Sequence, residues 1–294
     1  MALVGGWFDR RDELLECLRQ GPESVLPANP ATVTPPSRWQ LATIGQAAPW
    51  LQTYTVSGVW RVLQRYKLRF GSPLGAAQVQ QYSPDPDYAV KEAHLLDCLR
   101  QAATQADTTV LLFLDEMGYY RWPKTTPVWW DDTGSAAPVA DRQQSKQQQW
   151  RLIGVLNALT GAVDYLDGYG VGRAKVIAMY QTIAQRYAWA ERIYVVQDNW
   201  SIHRHPDVMT ALQSLPSLEP VWLPTYAPWL NPIEKLWRWL RQHVLHIHQL
   251  AHDWLQLQHR VHAFLEQFAD GSGQLLRYVG LAGNGKLASA IRLT

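Results

Sequence analysis

Two aspartates each stand at the end of an apolar run. Asp115 follows Thr109-Val-Leu-Leu-Phe-Leu, and Asp198 follows Arg192-Ile-Tyr-Val-Val-Gln. Continuous apolar runs of this length predict buried central strands of a sheet. If the two strands are parallel neighbours, both aspartates lie beyond the carboxyl ends of the strands, where open α/β sheets form their sites.

A third carboxylate, Glu234, ends the stretch Leu223-Pro-Thr-Tyr-Ala-Pro-Trp-Leu-Asn-Pro-Ile-Glu. Asn231 is a good N-cap and Pro232 suits the first helical position, so Glu234 falls in the first turn of a predicted helix. One interpretation is structural, because Asn-x-x-Glu has the spacing of a capping box and a carboxylate there favours the helix dipole. The other interpretation is that Glu234 joins the two aspartates in one site.

Three carboxylates that converge without a basic partner repel each other unless cations lie between them. Carboxylate oxygens suit Mg²⁺ or Mn²⁺. Two such ions, roughly 3.5–4 Å apart, can activate an attacking oxygen and stabilise a leaving oxygen in phosphodiester chemistry. Convergence of the three carboxylates would therefore predict a two-metal site for that chemistry.

Four residues near the carboxylates are candidates to support them. Glu116 follows Asp115 and points to the opposite face if the strand continues. Asn199 and His203 follow Asp198, and they either orient substrate or water or make the turn and cap hydrogen bonds that are commoner for such residues. Asn231 precedes Glu234. The pair His203-x-His205 has no third ligand at a convincing spacing, which argues against a transition-metal site.

The elements that must position these residues follow a mixed α/β order. From residue 109 we predict strand, strand, strand, helix, strand, helix, strand, helix. Thr160-Gly161 predicts a hairpin between residues 149–158 and 162–168. The last helix should run from Pro232 to about Ile247, and another should span 252–268. Between the first two strands, residues 118–148 form a Trp-rich insertion that either covers a sheet face or stacks on splayed bases.

Residues 37–70 predict two short helices joined by a turn. Ser37 is an N-cap candidate for the first helix. In the second, Val56, Val59, Leu63 and Tyr66 fall on one face at helical spacing. This is the pattern of a helix-turn-helix, whose second helix lies in a DNA major groove, although many helical hairpins share it.

Basic residues are concentrated in two stretches that contain no acidic residue. They are either contacts to a polyanion such as DNA or solvated helix faces. The first stretch, Ser24 to Pro84, contains Arg61, Arg65, Lys67 and Arg69, and the second, Lys235 to His252, contains Lys235, Arg238 and Arg241. The net charge of +2 says little about partners.

Composition predicts a globular chain. Of 294 residues 47% are hydrophobic and only 18% are charged, which excludes a disordered tail protein. Two distant cysteines predict reduced thiols and a cytoplasmic protein. No run approaches the length of a membrane span, so we expect no membrane partner.

Three motifs together give the chain a family resemblance. They are Leu114-Asp-Glu-Met, Val196-Gln-Asp-Asn-Trp-Ser-Ile-His and Tyr226-Ala-Pro-Trp-Leu-Asn-Pro-Ile-Glu, with thirty-five residues between Asp198 and Glu234. In these motifs the chain resembles bacterial insertion-sequence transposases of the mariner superfamily, which carry a DDE catalytic domain. The resemblance covers residues 109–250 strongly and the preceding helix pair more loosely.

The resemblance implies the fold and the site. It implies an α/β fold, an RNase H-like mixed sheet flanked by helices, preceded by a small all-α helix-turn-helix domain. Asp115, Asp198 and Glu234 would be the catalytic triad and would hold two Mg²⁺ or Mn²⁺ ions. The implied domains are an N-terminal remnant (1–36), a helix-turn-helix module (37–70), a linker (71–88), the catalytic domain (89–250) and a helical C-terminal extension (251–294).

The implied function is DNA transposition. Such an enzyme cleaves phosphodiester bonds at transposon ends and transfers the resulting strand into target DNA. Its partners would be double-stranded DNA, namely inverted repeats and a TA target, and a second copy of the chain. It would act in the bacterial cytoplasm and associate with the nucleoid when bound. The alternatives are a structure-specific nuclease of RNase H-like fold and a decayed or domesticated copy that only binds DNA.

One departure concerns the N-terminus. Such transposases carry a further helix-turn-helix before this one, whereas about 36 residues precede it here. A misassigned start, a frameshifted partner or a truncated copy would each explain the difference.

Overall fold

The computed structural model describes residues 5–26, 39–71, 82–124, 128–130, 140 and 146–292. Within these residues the chain divides into two compact units. The first comprises Met1–Val79, Tyr120–Gln148 and Leu240–Phe264, and the second comprises Gln80–Tyr119, Gln149–Trp239 and Leu265–Thr294. No helix in the described ranges is long and apolar enough to cross a lipid bilayer.

The first unit contains the all-α region that we predicted. Its helices are α1 (Gly5–Gln20), α2 (Pro22–Val25), α3 (Leu41–Ala47) and α4 (Val56–Arg65), with a 3₁₀ turn at Pro49–Leu51 between the last two. Helices α1, α3 and α4 share one core, so the segment before residue 37 packs with the helix pair. That core includes Leu14, Leu18, Ile44, Leu51, Val59 and Leu63.

The ends of these helices differ from the prediction in detail. Ser37 lies outside the described residues, and α3 is capped by Gln40, whose backbone N–H donates to the Thr43 hydroxyl at 2.9 Å. Helix α4 is capped by Thr55. Val56 is 52% exposed, because it stands at the first position of α4, before the buried face begins.

The first unit also contains two short paired strands. β1 (Arg69–Gly71) is antiparallel to β3 (Val128–Trp130), so part of the predicted insertion forms a strand. Trp129 and Trp130 lie in β3, but their side chains fall outside the description, as does much of 118–148. The predicted function of these tryptophans stays a prediction.

The second unit is built on a five-stranded mixed sheet, which confirms the predicted fold class. The strands are β2 (Thr109–Tyr120), β4 (Gln149–Asn157), β5 (Val163–Gly168), β6 (Arg192–Gln197) and β7 (Leu218–Trp222), in the order β5-β4-β2-β6-β7. β2, β6 and β7 are parallel, and β4 and β5 form the predicted hairpin. Bonds from Ala158 N to Leu111 O and from Arg121 N to Gln148 O make β4 antiparallel to β2.

The register of β2 and β6 brings the two aspartates to one edge. Phe113 pairs with Val196. Asp115 lies two residues further along β2, and Asp198 directly follows the last residue of β6. The two runs are therefore parallel neighbours, as we predicted. Residues alternate between the faces of a strand, so Asp115 shares the face of Leu111 and Phe113, and Glu116 shares the face of Leu112 and Leu114.

Helices cover the sheet on both faces. α6 (Arg173–Arg186) and α7 (Pro206–Gln213) pack on the face of Leu112 and Leu114. α8 (Ile233–Leu240) packs on the opposite face, and α5 (Tyr88–Thr104) packs against α11 (Lys286–Arg292). α9 (Trp254–Glu266) and α10 (Gly273–Val279) complete the chain.

The predicted long helix after Pro232 is interrupted. α8 ends at Leu240, and Arg241–Leu245 forms a π-helical turn, after which Ile247 adopts a left-handed φ of 57°. The apolar spacing of the sequence continues through this turn, which is why the prediction ran to Ile247.

Gly154 of β4 lets α8 approach the sheet. A Cβ atom built there would lie 2.7 Å from Cη2 of Trp237, whose side chain is fully buried. The indole of Trp237 therefore lies directly against the backbone of the strand, and no larger residue fits at position 154 without moving it.

The substitution Gly154→Ala should lower the melting temperature. Overpacking of a core costs about 1–3 kcal/mol, and roughly 2–4 °C corresponds to each kcal/mol in a domain of this size. Thermal unfolding followed by circular dichroism measures the loss. Gly170→Ala is the matched control, because a Cβ there meets nothing within 4 Å. Equal melting temperatures for the two variants would contradict the packing.

Candidate active site

Asp115 is held from helix α8. The indole N–H of Trp237 donates to Oδ2 of Asp115 at 2.9 Å. Because Trp237 is fully buried against Gly154, this carboxylate oxygen is fixed by the packing of α8 on the sheet. From the sequence we assigned Trp237 only to the packed face of its helix. Trp237 lies three residues after Glu234, on the same side of α8. This spacing could have indicated that Trp237 contacts the carboxylates.

Asp198 is held by the turn that follows β6. The backbone N–H of Trp200 donates to Oδ1 of Asp198 at 2.9 Å. The side chain is 55% exposed, and its Oδ2 has no hydrogen-bond partner among the described residues. One oxygen is thus fixed and the other is available to a ligand.

Asn231 joins the start of α8 to the middle of β2. Its side-chain amide donates to the carbonyl of Leu114 at 3.1 Å, although 117 positions separate the two residues. Leu114 precedes Asp115, and Glu234 follows Asn231 by three positions. The hydrogen bond therefore sets the separation between the two segments that carry these carboxylates.

The capping-box interpretation of Asn231 and Glu234 is wrong in its side-chain part. The N–H of Glu234 donates to the backbone carbonyl of Asn231 at 3.1 Å, not to its side chain. The buried Oδ1 of Asn231 has no partner among the described residues. The Asn231 side chain bonds to Leu114 of β2 instead of capping α8.

The three carboxylates line one cleft in the second unit. It has a volume of about 500 Å³, and its apolar walls come from the turn before α8. The lining residues are Asp115, Asp198, Asn199, Trp200, Leu223, Pro224, Thr225, Tyr226, Ala227, Pro228, Asn231 and Glu234.

The charged form of Asp115 is disfavoured in this cleft. Burial raises the pKa of Asp115 well above its ordinary value, and the charges of Glu234, Glu116 and Asp198 raise it further. In the described ranges no lysine or arginine forms an ion pair with Asp115 or Asp198. Nor does any group of three His, Cys, Asp or Glu side chains there stand close enough to share one metal ion.

His203 lies between Glu116 and Asp198 behind the cleft. It is fully buried, and its Nε2 lies 3.3 Å from Oε1 of Glu116 and 3.7 Å from Oδ1 of Asp198. Glu116 thus lies on the face opposite Asp115, and neither its Oε1 nor the ring nitrogens of His203 form a hydrogen bond with the described residues. His205 points elsewhere, since its ring accepts the N–H of Asp207 and caps α7.

Asn199 joins β6 to β7. Its amide donates to the carbonyl of Leu223 at 2.7 Å, and Arg204 donates to its Oδ1 at 2.6 Å. The guanidinium of Arg204 also lies over the ring of Trp222, 4.6 Å from its centroid. Asn199 therefore makes turn-stabilising hydrogen bonds, which was one of the two functions predicted for it.

The predicted DNA-contacting residues lie on α4 and α8 and in the segments that follow them. Arg61, Arg65 and Lys67 are exposed on or just after α4, Arg238 is exposed and Arg241 is partly buried. The side chain of Arg69 lies outside the described residues. The ammonium of Lys235 donates to the carbonyl of Val279 at 2.8 Å, at the end of α10, and burial followed by the charge of Arg238 lowers its pKa.

Comparison with known proteins identifies the family. Residues 110–258, just over half of the chain, match the family model described as DDE superfamily endonuclease. The chain belongs to this family. The matched segment contains Asp115, Asp198 and Glu234.

Two further likenesses accompany the family match. Over 121 residues the chain is 29% identical to the Insertion element IS630 uncharacterized 39 kDa protein of Shigella sonnei, an alignment that covers 41% of this chain and 35% of that protein. The chain thus spans about a third of the length of that relative. The fold is similar to that of the Mos1 transposase in its paired-end complex with the left transposon end, at a TM-score of 0.51 and 16% identity over 98% of this chain and 96% of that one.

Removal of one carboxylate should stabilise the metal-free protein. Folding raises the pKa of Asp115, so the folded protein holds this proton more tightly than the unfolded chain. The free energy of unfolding therefore decreases as the pH rises from the ordinary pKa of an aspartate to the folded pKa, and below the ordinary pKa there is no such loss. Asp115→Asn should therefore raise the melting temperature at mildly alkaline pH. Its amide oxygen can still accept the indole N–H of Trp237.

Thermal melts in the presence of a chelator measure this gain. It should shrink as the pH falls towards the ordinary pKa of an aspartate. Asp107→Asn, at an exposed position in the turn before β2, is the control and should change little. A lower melting temperature for Asp115→Asn than for the wild-type protein would show that the charge of Asp115 does not destabilise the folded protein.

Proposed function

We propose that this protein is a DNA transposase of the mariner superfamily, which cleaves phosphodiester bonds at transposon ends and transfers the strand into target DNA. The observation that carries the proposal is the position of Asp115, Asp198 and Glu234 in one cleft within the matched family segment. Membership of a family of DDE endonucleases supports the nuclease step. The IS630 protein is named for an insertion element and the Mos1 protein is named a transposase, which supports transposition.

The three carboxylates are the catalytic residues and the metal ligands in this proposal. The donor chemistry suits divalent cations, because no lysine or arginine in the described ranges pairs with the oxygens of Asp115 or Asp198. The three carboxylates would have to move closer together to share one ion. Bound Mg²⁺ or Mn²⁺, as two ions, would lower the pKa of the attacking hydroxyl and offset the charge on the leaving oxygen. The loss of carboxylate repulsion would contribute to their binding.

The protein's own contribution is orientation. Trp237 fixes one oxygen of Asp115, and Trp200 fixes one oxygen of Asp198. Asn231 positions the helix start that carries Glu234. His203 lies next to Asp198, with Glu116 on its other side. No serine, cysteine or tyrosine nucleophile is needed, because water or a 3′-hydroxyl attacks the phosphorus directly.

DNA is the partner in this proposal. Helix α4 would enter the major groove at the inverted repeats, with Arg61, Arg65, Lys67 and Arg69 towards the DNA, and Lys235, Arg238 and Arg241 would lie near phosphates beside the site. Two ends must be paired, so we propose a homodimer in the complex with DNA, with TA as the target. The protein would act in the bacterial cytoplasm, at the nucleoid when bound.

Neutralising any one carboxylate should abolish cleavage. Asp115→Asn, Asp198→Asn and Glu234→Gln each remove a metal ligand, so the Mg²⁺-dependent cleavage rate should fall by at least about 10³-fold. Gel assays on a duplex with the element's terminal inverted repeat measure cleavage, and a mobility shift measures binding, which should stay within a few-fold. Asp107→Asn is the control that should cleave normally.

The same assay with pre-nicked end DNA separates transposition from simple hydrolysis. Joining of the 3′-hydroxyl to a second duplex is expected of a transposase and not of a structure-specific nuclease. Full cleavage by any of the three carboxylate variants would refute the assignment of the site.

The basic residues of α4 should contribute to DNA affinity through phosphates and base edges. Arg61→Ala or Arg65→Ala should weaken binding of the terminal repeat, and each lost phosphate contact should reduce the slope of log K against log salt by about 1. Fluorescence anisotropy across a salt series measures both quantities. Arg277→Ala, at an exposed arginine of α10, is the control, and an equal effect there would argue against a specific interface.

A further inference from the structure

Tyr226 stands at the rim of the cleft in a costly conformation. Its φ is 54°, in the left-handed region where a bulky non-glycine residue is rare. Its side chain is 78% exposed, although the ring is large and apolar. It also lines the cleft that contains the three carboxylates. The strained backbone and the exposed ring both reduce the stability of the folded chain, and neither is needed to form the fold.

The backbone on both sides keeps Tyr226 in this conformation. The N–H of Thr225 donates to Oδ2 of Asp85 at 2.7 Å, and its carbonyl accepts the hydroxyl of Ser83 at 2.6 Å. Asp85 is itself held by Lys91 at 2.7 Å, and this contact, followed by the Thr225 N–H, lowers the pKa of its carboxyl group. On the other side, Ala227 is buried. The ring of Tyr226 is therefore directed outwards by a rigid support.

The ring of Tyr226 has no partner in the described part of the chain. No aromatic ring stacks on it there, and no cation lies over it. Nearby Trp229 differs, because its indole N–H donates to the hydroxyl of Tyr88 at 3.0 Å. The walls beside Tyr226 are Pro224, Ala227 and Pro228, which are apolar. These surfaces suit a flat, uncharged ring better than a phosphate.

We propose that Tyr226 is a stacking residue for one unpaired nucleobase of the DNA, next to the phosphate that is cleaved. The inference rests on the proposed function and adds a base subsite to it. A cleft of about 500 Å³ is large enough for one nucleotide drawn out of the duplex. Unstacking a base has a free-energy cost, and the exposed ring offsets it at the place where the phosphate must reach the carboxylates. The rigid support means that the ring does not have to be ordered when DNA binds.

The test compares Tyr226→Gly with Tyr226→Phe. Glycine relieves the left-handed strain, so this variant should melt at or above the wild-type temperature, yet it should cleave the terminal-repeat duplex about 10- to 100-fold more slowly, as expected for loss of one stacked base. Phenylalanine keeps the ring and should retain most of the activity. Tyr169→Ala removes a tyrosine that is 74% exposed after β5, and it should leave cleavage unchanged.

A second substrate identifies the step that the ring assists. A duplex with a mismatched pair beside the scissile phosphate already has an unpaired base, so Tyr226→Gly should recover most of its rate on it. Equal rates for Tyr226→Gly and wild type on the paired duplex would overturn the base subsite. An equal loss on paired and mismatched duplexes would also overturn it. Absence of cleavage by the wild-type protein would instead refute the proposed function.

Discussion

The hydrogen bond between Asn231 and the carbonyl of Leu114 is the contact on which the site depends. Asp115 and Glu234 lie on elements more than a hundred residues apart, and their charges repel each other. This repulsion opposes the approach of the helix to the strand, and the buried apolar face of α8 holds the two together. Neutral hydrogen bonds then set the positions of the two carboxylates. Asn231 provides one link, and the indole of Trp237 on Asp115 provides a second. Both place a hydrogen-bond donor against the strand, and neither introduces a cation that would compete with metal ions.

The positions of strands β2 and β6 could be predicted from the sequence because an apolar run is a local signal. The end of β2 could not, since the strand continues beyond Asp115 to Tyr120. The apolar runs before Asp115 and Asp198 gave the strands and their edge, and the structure confirms that β2 and β6 are parallel. The role of Asn231 could not be predicted, because its spacing from Glu234 fits a cap equally well and the competing partner lies 117 positions away. The π-helical turn after α8 could not be predicted either. The apolar spacing continues through residue 247, and a π turn changes the backbone hydrogen bonds without changing this spacing.

Costs to stability are concentrated at the cleft. Asp115 is a buried carboxyl group with a raised pKa among other carboxylates, and Tyr226 has a left-handed backbone. Asn231 adds a buried Oδ1 without a hydrogen-bond partner among the described residues. By contrast, Asn199, Arg204 and Asp85 make the hydrogen bonds expected of turn and loop supports. Strained and unneutralised groups that persist in a well-packed fold are typical of functional sites. Here the strained and charged groups surround one cleft, and this favours the cleft as the site of the chemistry.

Anomalous diffraction from crystals of the protein soaked in Mn²⁺ tests the central claim most directly, since it locates the ions without an assay of activity. Mn²⁺ peaks are expected in contact with oxygens of Asp115, Asp198 and Glu234, and they should be lost in crystals of Asp115→Asn. Mn²⁺ peaks confined to other residues, or a cleft that stays free of Mn²⁺ while the three carboxylates remain in place, would contradict it.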